Sequence, residues 1–203
     1  MRLARTSATL VSFFRVHPWL VDLEAHRPKL PLALDDRRTA RSKHNITQSS
    51  IKLSDDMVQW ELTTIDRQEL KLADYGGKIL VINLFAPWCD PCRLNLKALN
   101  KLERRYKKRG VELFALVTSQ NDPHIDSVRD FARLMKIKCP VIWDDVGFSE
   151  SLVKIVQRPG ILPQTFVVDK DHRIVKHFIG FNKSKTGALM RQSLEELRKP
   201  NGN

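Results

Sequence analysis

Apolar positions in residues 1–50 recur neither every second residue nor every 3.6, and Pro18, Pro28 and Pro31 punctuate the stretch. It reads as a leader, targeting or linker segment ahead of a packed domain. From Met57 the texture changes. Met57 to Ile65 alternates as a half-buried strand does, and Glu69 to Leu72 is placed to pair with it as a hairpin before the Gly76-Gly77 turn. Lys78 to Ala86 is a nearly continuous apolar run of strand length, the signature of a strand buried on both faces. Leu96, Leu99, Leu102 and Tyr106 then recur at helical spacing, predicting a helix over 90–109 that Gly110 ends.

Val111 to Val117 is a second buried strand. Pro123 opens a further helix with Val128, Phe131 and Met135 on one face. Val141 to Trp143 predicts a short strand and Ser149 to Val156 a short helix. Thr165 to Val168 and Arg173 to Ile179 form a strand pair, and a last helix over Lys185 to Arg198 turns Leu189, Met190, Leu194 and Leu197 inward. Strands alternating with helices imply an α/β sandwich on a mixed sheet, with neither an internal repeat nor a second domain.

Composition narrows the function classes. At 203 residues, 42% hydrophobic and 29% charged, the chain is neither fibrous nor wholly disordered. No run reaches the roughly 18 apolar residues of a membrane-spanning helix. Ala8 to Phe14, behind Arg2 and Arg5, is a minimal signal-like core interrupted by Arg15; an organelle transit peptide is the alternative reading. The net charge of +12 favours acidic partners. The basic cluster Arg37 to His44 lacks interleaved aromatics, so no nucleic-acid role is assigned to it. Three cysteines are too few, and odd in number, for a disulfide scaffold.

Sulfur therefore acts locally. Trp88-Cys89-Asp90-Pro91-Cys92 stands where the central strand passes into the helix. Positions i and i+3 at a helix start share a face, so the two sulfurs can bond with little backbone movement. The helix N-terminus offers orphan N–H donors and about half a positive charge, both favouring thiolate over thiol. Pro91 is tolerated because first-turn amides need no intrahelical partner, and it stiffens the loop. A zinc site would need four ligands at characteristic spacing, whereas Cys139 and scattered histidines are all that remain.

The strand 79–86, the Trp88 to Arg93 junction, Gly110-Val-Glu-Leu-Phe and Ile161-Leu-Pro-Gln-Thr-Phe-Val-Val-Asp169 together resemble a thioredoxin fold. More narrowly, they are similar to the TlpA-type (ResA/CcmG-like) thiol–disulfide oxidoreductases, which include the reductases of cytochrome c maturation. The resemblance covers about Leu53 to Arg198. It implies a thioredoxin-like three-layer sandwich over 53–198, with a mixed central sheet, an N-terminal hairpin and a central βα insertion around 123–156. It further implies catalysis by Cys89 and Cys92 as a redox disulfide, with Cys89 attacking and Cys92 resolving. Trp88, Pro91, Leu162 and a cis Pro163 would position substrate, the Leu162 backbone taking a peptide as a short added strand. Partners would be protein disulfides and a thiol electron donor, the state a monomer, and no metal or other cofactor is called for.

Two departures stand out. The subgroup's usual Glu and Pro after the motif are here Asn95 and Lys97, and Asn95 can hydrogen-bond but cannot titrate. His172 occupies a turn where the family commonly has Gly. Cys139, ahead of Pro140, reads as a buried inert thiol. The helix 93–109 carries eight basic residues against Glu103, a solvated face that could also steer an acidic partner or meet anionic lipid. A peroxiredoxin-type peroxidase is the competing enzyme, but its Thr or Ser three residues before the reactive cysteine is here Ala86. A copper or zinc module is the non-enzymatic alternative. An extracytoplasmic location, periplasmic or membrane-associated, is favoured over a cytoplasmic or organellar one.

Overall fold

The computed structural model describes residues 50–118, 124–157 and 160–199, so Pro123 and nearly all of the 1–50 leader lie outside the described residues. Its elements are β1 (Ile51–Lys52), α1 (Asp55–Gln59), β2 (Leu62–Thr64), β3 (Glu69–Leu70), β4 (Ile79–Leu84), α2 (Asp90–Tyr106) and β5 (Val111–Thr118). There follow α3 (Ile125–Met135), β6 (Val141–Asp144), α4 (Phe148–Ile155), β7 (Gln164–Val168), β8 (Arg173–Ile179) and α5 (Thr186–Arg198).

One eight-stranded sheet runs β1-β8-β7-β4-β5-β6-β2-β3. β4 is central, parallel to β5 and antiparallel to β7. Every side chain of β4 is buried, as its unbroken apolar run requires. Its alternate residues feed opposite layers. Ile79 and Val81 meet Leu96 and Leu99 of α2, Phe131 of α3 and Leu194 of α5 in one core. Leu80 and Ile82 meet Met57 of α1 and Phe148 and Leu152 of α4 in the other. Each fully buried Leu or Ile contributes about 2 kcal/mol through apolar area removed from water.

The hairpin forms, Leu62 pairing with Leu70, but it is shorter than its alternation suggests. Met57 to Gln59 is helical instead: Ser54 Oγ accepts the Met57 N–H at 3.3 Å, and Asp55 and Asp56 favour the helix N-terminus. Helix α2 ends at Tyr106, and one tighter turn (Lys107–Arg109) leads to Gly110 at φ 76°. That left-handed residue is where glycine is needed. In α5, Met190 and Leu194 are buried but Leu189 is 47% exposed, because the buried stripe follows 190, 193 and 194 and leaves 189 turned out. At the sheet margin β1 pairs only with Ile174 and Arg173 of β8.

Candidate active site

Phe85 and Ala86, just past β4, are fully buried, and the chain then surfaces abruptly: Trp88 is 64% exposed. Cys89 sits at the N-cap of α2, where its Sγ accepts the Cys92 N–H at 3.2 Å. The two cysteines are joined, with S–S 2.06 Å and Cα–Cα 5.2 Å. Cys89 retains 5% exposure and Cys92 none. Pro91, in the first turn, breaks no helical hydrogen bond. The Arg93 guanidinium lies 5.5 Å from the Phe131 ring and donates to Pro87 O at 3.3 Å, bracing the loop from the adjoining helix.

A cavity of about 500 Å³ opens beside Cys89, lined by Trp88, Pro91, Leu162, Ile161, Val153 and Glu150 among others. Of the six residues singled out in sequence, four line it: Trp88, Cys89, Pro91 and Leu162. Cys92 lies behind them in the core. The Leu162–Pro163 bond is cis, and Pro163 O accepts the Gly180 N–H at 2.8 Å.

Sequence reasoning assigned no role to three residues that line this cavity or hold its walls. Gln164 is buried at the start of β7; its Nε2 donates to Ile161 O at 2.9 Å, and its Oε1 lies 2.9 Å from His177 Nε2. The His177 ring in turn stacks on Phe166 at 4.5 Å. Asp144 holds α4, whose Ser149, Glu150 and Val153 line the cavity: its carboxylate accepts the N–H groups of Gly147, Phe148 and Ser149 at 3.0, 3.0 and 2.6 Å, anchoring the helix's first turn. An acid followed three to five residues later by a helix start is the only trace it leaves in sequence.

Beneath the cysteines, α2 contributes Asn95, fully buried. Its Nδ2 donates to Asn83 Oδ1 at 2.6 Å and to Thr165 Oγ1 at 3.1 Å, while the Thr165 hydroxyl donates to Asn83 Oδ1 at 3.0 Å. Asn83 Nδ2 and Asn95 Oδ1 stay buried without a hydrogen bond.

Farther along α2, Glu103 corrects the expectation of a fully solvated polar face, for it is 3% exposed. Burial raises its pKa, while Lys107, 3.3 Å away, partly offsets the shift. Cys139 packs against the main core as a half-buried residue. Burial, and next the Glu103 charge, push its thiol up to about 12, which leaves it protonated and unreactive at neutral pH. His172 adopts φ 57°, tolerated at a turn whose N–H bonds back to Asp169 O.

The AhpC/TSA family profile matches residues 53–177. Thiol-disulfide oxidoreductase ResA of Geobacillus kaustophilus (strain HTA426) is 32% identical over 134 residues, covering 66% of this chain and 69% of that protein. Among solved structures, the Chlorobium tepidum protein assigned as thiol:disulfide interchange protein DsbE superposes with a TM-score of 0.60 at 23% identity, over 73% of this chain and 99% of the other. A secreted Mycobacterium tuberculosis disulfide oxidoreductase homologous to E. coli DsbE gives 0.57 at 14% identity, over 71% and 100%. At these identities the two structures speak to the fold alone.

Proposed function

The chain belongs to the AhpC/TSA family and is a thiol–disulfide oxidoreductase of thioredoxin fold, and from that premise we propose that it reduces disulfides of partner proteins through Cys89 and Cys92. The observation that carries the assignment of roles is the asymmetry of the pair: Cys89 lines the open cavity and Cys92 is sealed behind it. The Cys89 thiolate attacks one sulfur of the partner's disulfide and expels the other as a thiolate, giving a mixed disulfide. Cys92 then attacks Cys89, releasing the partner's second sulfur and leaving Cys89–Cys92 oxidised. Two electrons have passed to the partner, and an external thiol donor must return them. Asp90 favours this direction, because a carboxylate in the segment that joins the two cysteines opposes the build-up of thiolate in the reduced enzyme.

The apolar cavity suits a chain segment flanking the substrate cysteine, with Trp88, Pro91, Leu162 and Pro163 as positioning residues around it. The working unit is the domain 53–198, acting as a monomer. None of the described helices is long and apolar enough to cross a membrane. An extracytoplasmic site of action is favoured on the resemblance to the TlpA-type oxidoreductases. Substrates of the cytochrome c maturation kind fit this reading.

The test is reduction of insulin disulfides by the purified protein with dithiothreitol as donor, beside hydrogen peroxide turnover. Insulin reduction well above the dithiothreitol background supports the reading. Peroxide turnover at a matching rate, or stoichiometric copper or zinc in protein purified under reducing conditions, overturns it.

A further inference from the structure

The exposed flank of α2 forms, with the start of α5, a groove of about 800 Å³. Lys97, Lys101, Arg104 and Arg105 line it from one side, Lys183 and Arg191 from the other, and no carboxylate lines it. The ion pairs among the described residues go to other cations, such as Arg129 with Asp126 at 2.7 Å and Arg133 with Asp130 at 2.8 Å. None of the groove's six cations forms one. The floor is small and apolar. A Cβ built on Gly187 would meet Ala98 Cβ at 4.0 Å, so the helices approach closely there. Leu94, 46% exposed, and Phe181 add apolar surface among the cations.

Like charges lining one groove without an ion pair repel one another, a cost relieved when an anionic partner neutralises them. We propose that this groove docks an acidic, amphipathic surface segment of the protein that exchanges disulfides with Cys89. The proposal rests on the oxidoreductase reading and adds a class of partner to it. Position supports it: Lys97 lies five residues past Cys92, about 8 Å along the helix at 1.5 Å per residue, so a segment held here delivers its own protein to the pair. Residues 1–49 carry nine Lys or Arg against four Asp or Glu and a second copy brings +12, so neither supplies the net negative charge that complements the groove. A bilayer is flat and would leave the floor uncovered, whereas the apolar face of a peptide would cover it.

The probe is a short fluorescein-labelled peptide of Glu and Leu in helical alternation, titrated with the full chain and read by anisotropy. Binding should weaken as salt rises and fall about tenfold or more when Lys97→Glu, Lys101→Glu and Arg191→Glu are combined. Lys154→Glu, Lys170→Glu and Lys176→Glu together make the same change in net charge on exposed positions elsewhere and should change it little. Ala188→Trp, at another residue lining the groove, narrows it without altering charge and should also weaken it. Equal weakening by both triple variants overturns the proposal by assigning the effect to net charge, and an unchanged affinity with Ala188→Trp overturns it by showing that the peptide does not occupy the groove. So does preferential binding of phosphatidylglycerol vesicles or of an oligothymidylate over the peptide. Reduction of a small disulfide by dithiothreitol-reduced protein, run alongside, should be the same in all variants. Its absence in the parent chain would sink the oxidoreductase reading, whatever the peptide result.

Discussion

Asn95 Nδ2 donates to Asn83 Oδ1 at 2.6 Å, tying the first turns of the cysteine-bearing helix to the central strand. Thr165 of β7 completes the triangle, so three elements that surround the sulfurs share one buried polar contact. Asn95→Ala would strand the Asn83 and Thr165 groups away from water and should cost about 1–3 kcal/mol of stability. Urea denaturation measures this, and a loss below about 0.5 kcal/mol would mean that the triangle adds nothing net.

Cys92→Ser should accumulate covalent adducts with protein substrates, since the attacking sulfur survives and the resolving one is gone. Cys89→Ser should accumulate none. Non-reducing gels with insulin as substrate read both outcomes, and equal inactivity without trapped adducts would contradict the roles assigned.

Removing the carboxylate of Asp90, between the two cysteines in sequence, should make the pair more oxidising. Asp90 is largely exposed and lies 3.7 Å from Arg93, so Asp90→Asn should raise the reduction potential modestly. A surface charge at a helix start is worth a few tenths of a kcal/mol to 1 kcal/mol, which for two electrons is on the order of 10 mV. Equilibration with glutathione buffers measures it, and a fall in potential would refute the argument.

Much of this was readable in the chain, and the exceptions have physical causes. The run Ile79 to Leu84 could only be a strand with both faces covered, and the spacing at Cys89 and Cys92 put two sulfurs on one turn of a helix. Met57 to Gln59 departs from the strand expected there: Val58, Trp60 and Leu62 alternate with Gln59 and Glu61 as a strand would, yet adjacent Met57 and Val58 are both buried and the Ser54 cap starts a helix. The hold of Asp144 on α4, and of Gln164 on Ile161 and His177, joins residues through backbone groups and distant strands. Such contacts leave no period to detect. Glu103 was hidden by its company, for it sits among eight cations in sequence yet faces the core.

That burial gives Glu103 a signed effect on stability. Its folded carboxyl keeps its proton to higher pH than the unfolded one does, so deprotonation opposes folding. The penalty is absent below the ordinary value of 4.5 and grows as pH rises through the folded value. Glu103→Gln should therefore gain melting temperature relative to the parent as pH is raised from acid to neutral. A difference independent of pH would refute the assignment.

Thiol counting separates the third sulfur from the pair. Reduced, unfolded protein should show three reactive sulfhydryls and oxidised, unfolded protein one. The oxidised native protein should react very slowly at about pH 8, because Cys139 is held up to about 12 by burial. Prompt labelling of one thiol in the folded oxidised protein would contradict this.

The brevity of β1 bears on how the domain can be cut. Its two residues cover only Arg173 and Ile174, so among the described residues the outer side of β8 beyond them is unsealed, with Lys176 as its exposed charged gatekeeper. A fragment begun after Lys52 would strip away even that cover and turn the whole of β8 into a template for stacking copies edge to edge. One begun before Ile51 keeps the seal, which makes those two residues, remote from any chemistry, the boundary between a well-behaved domain and a sticky one.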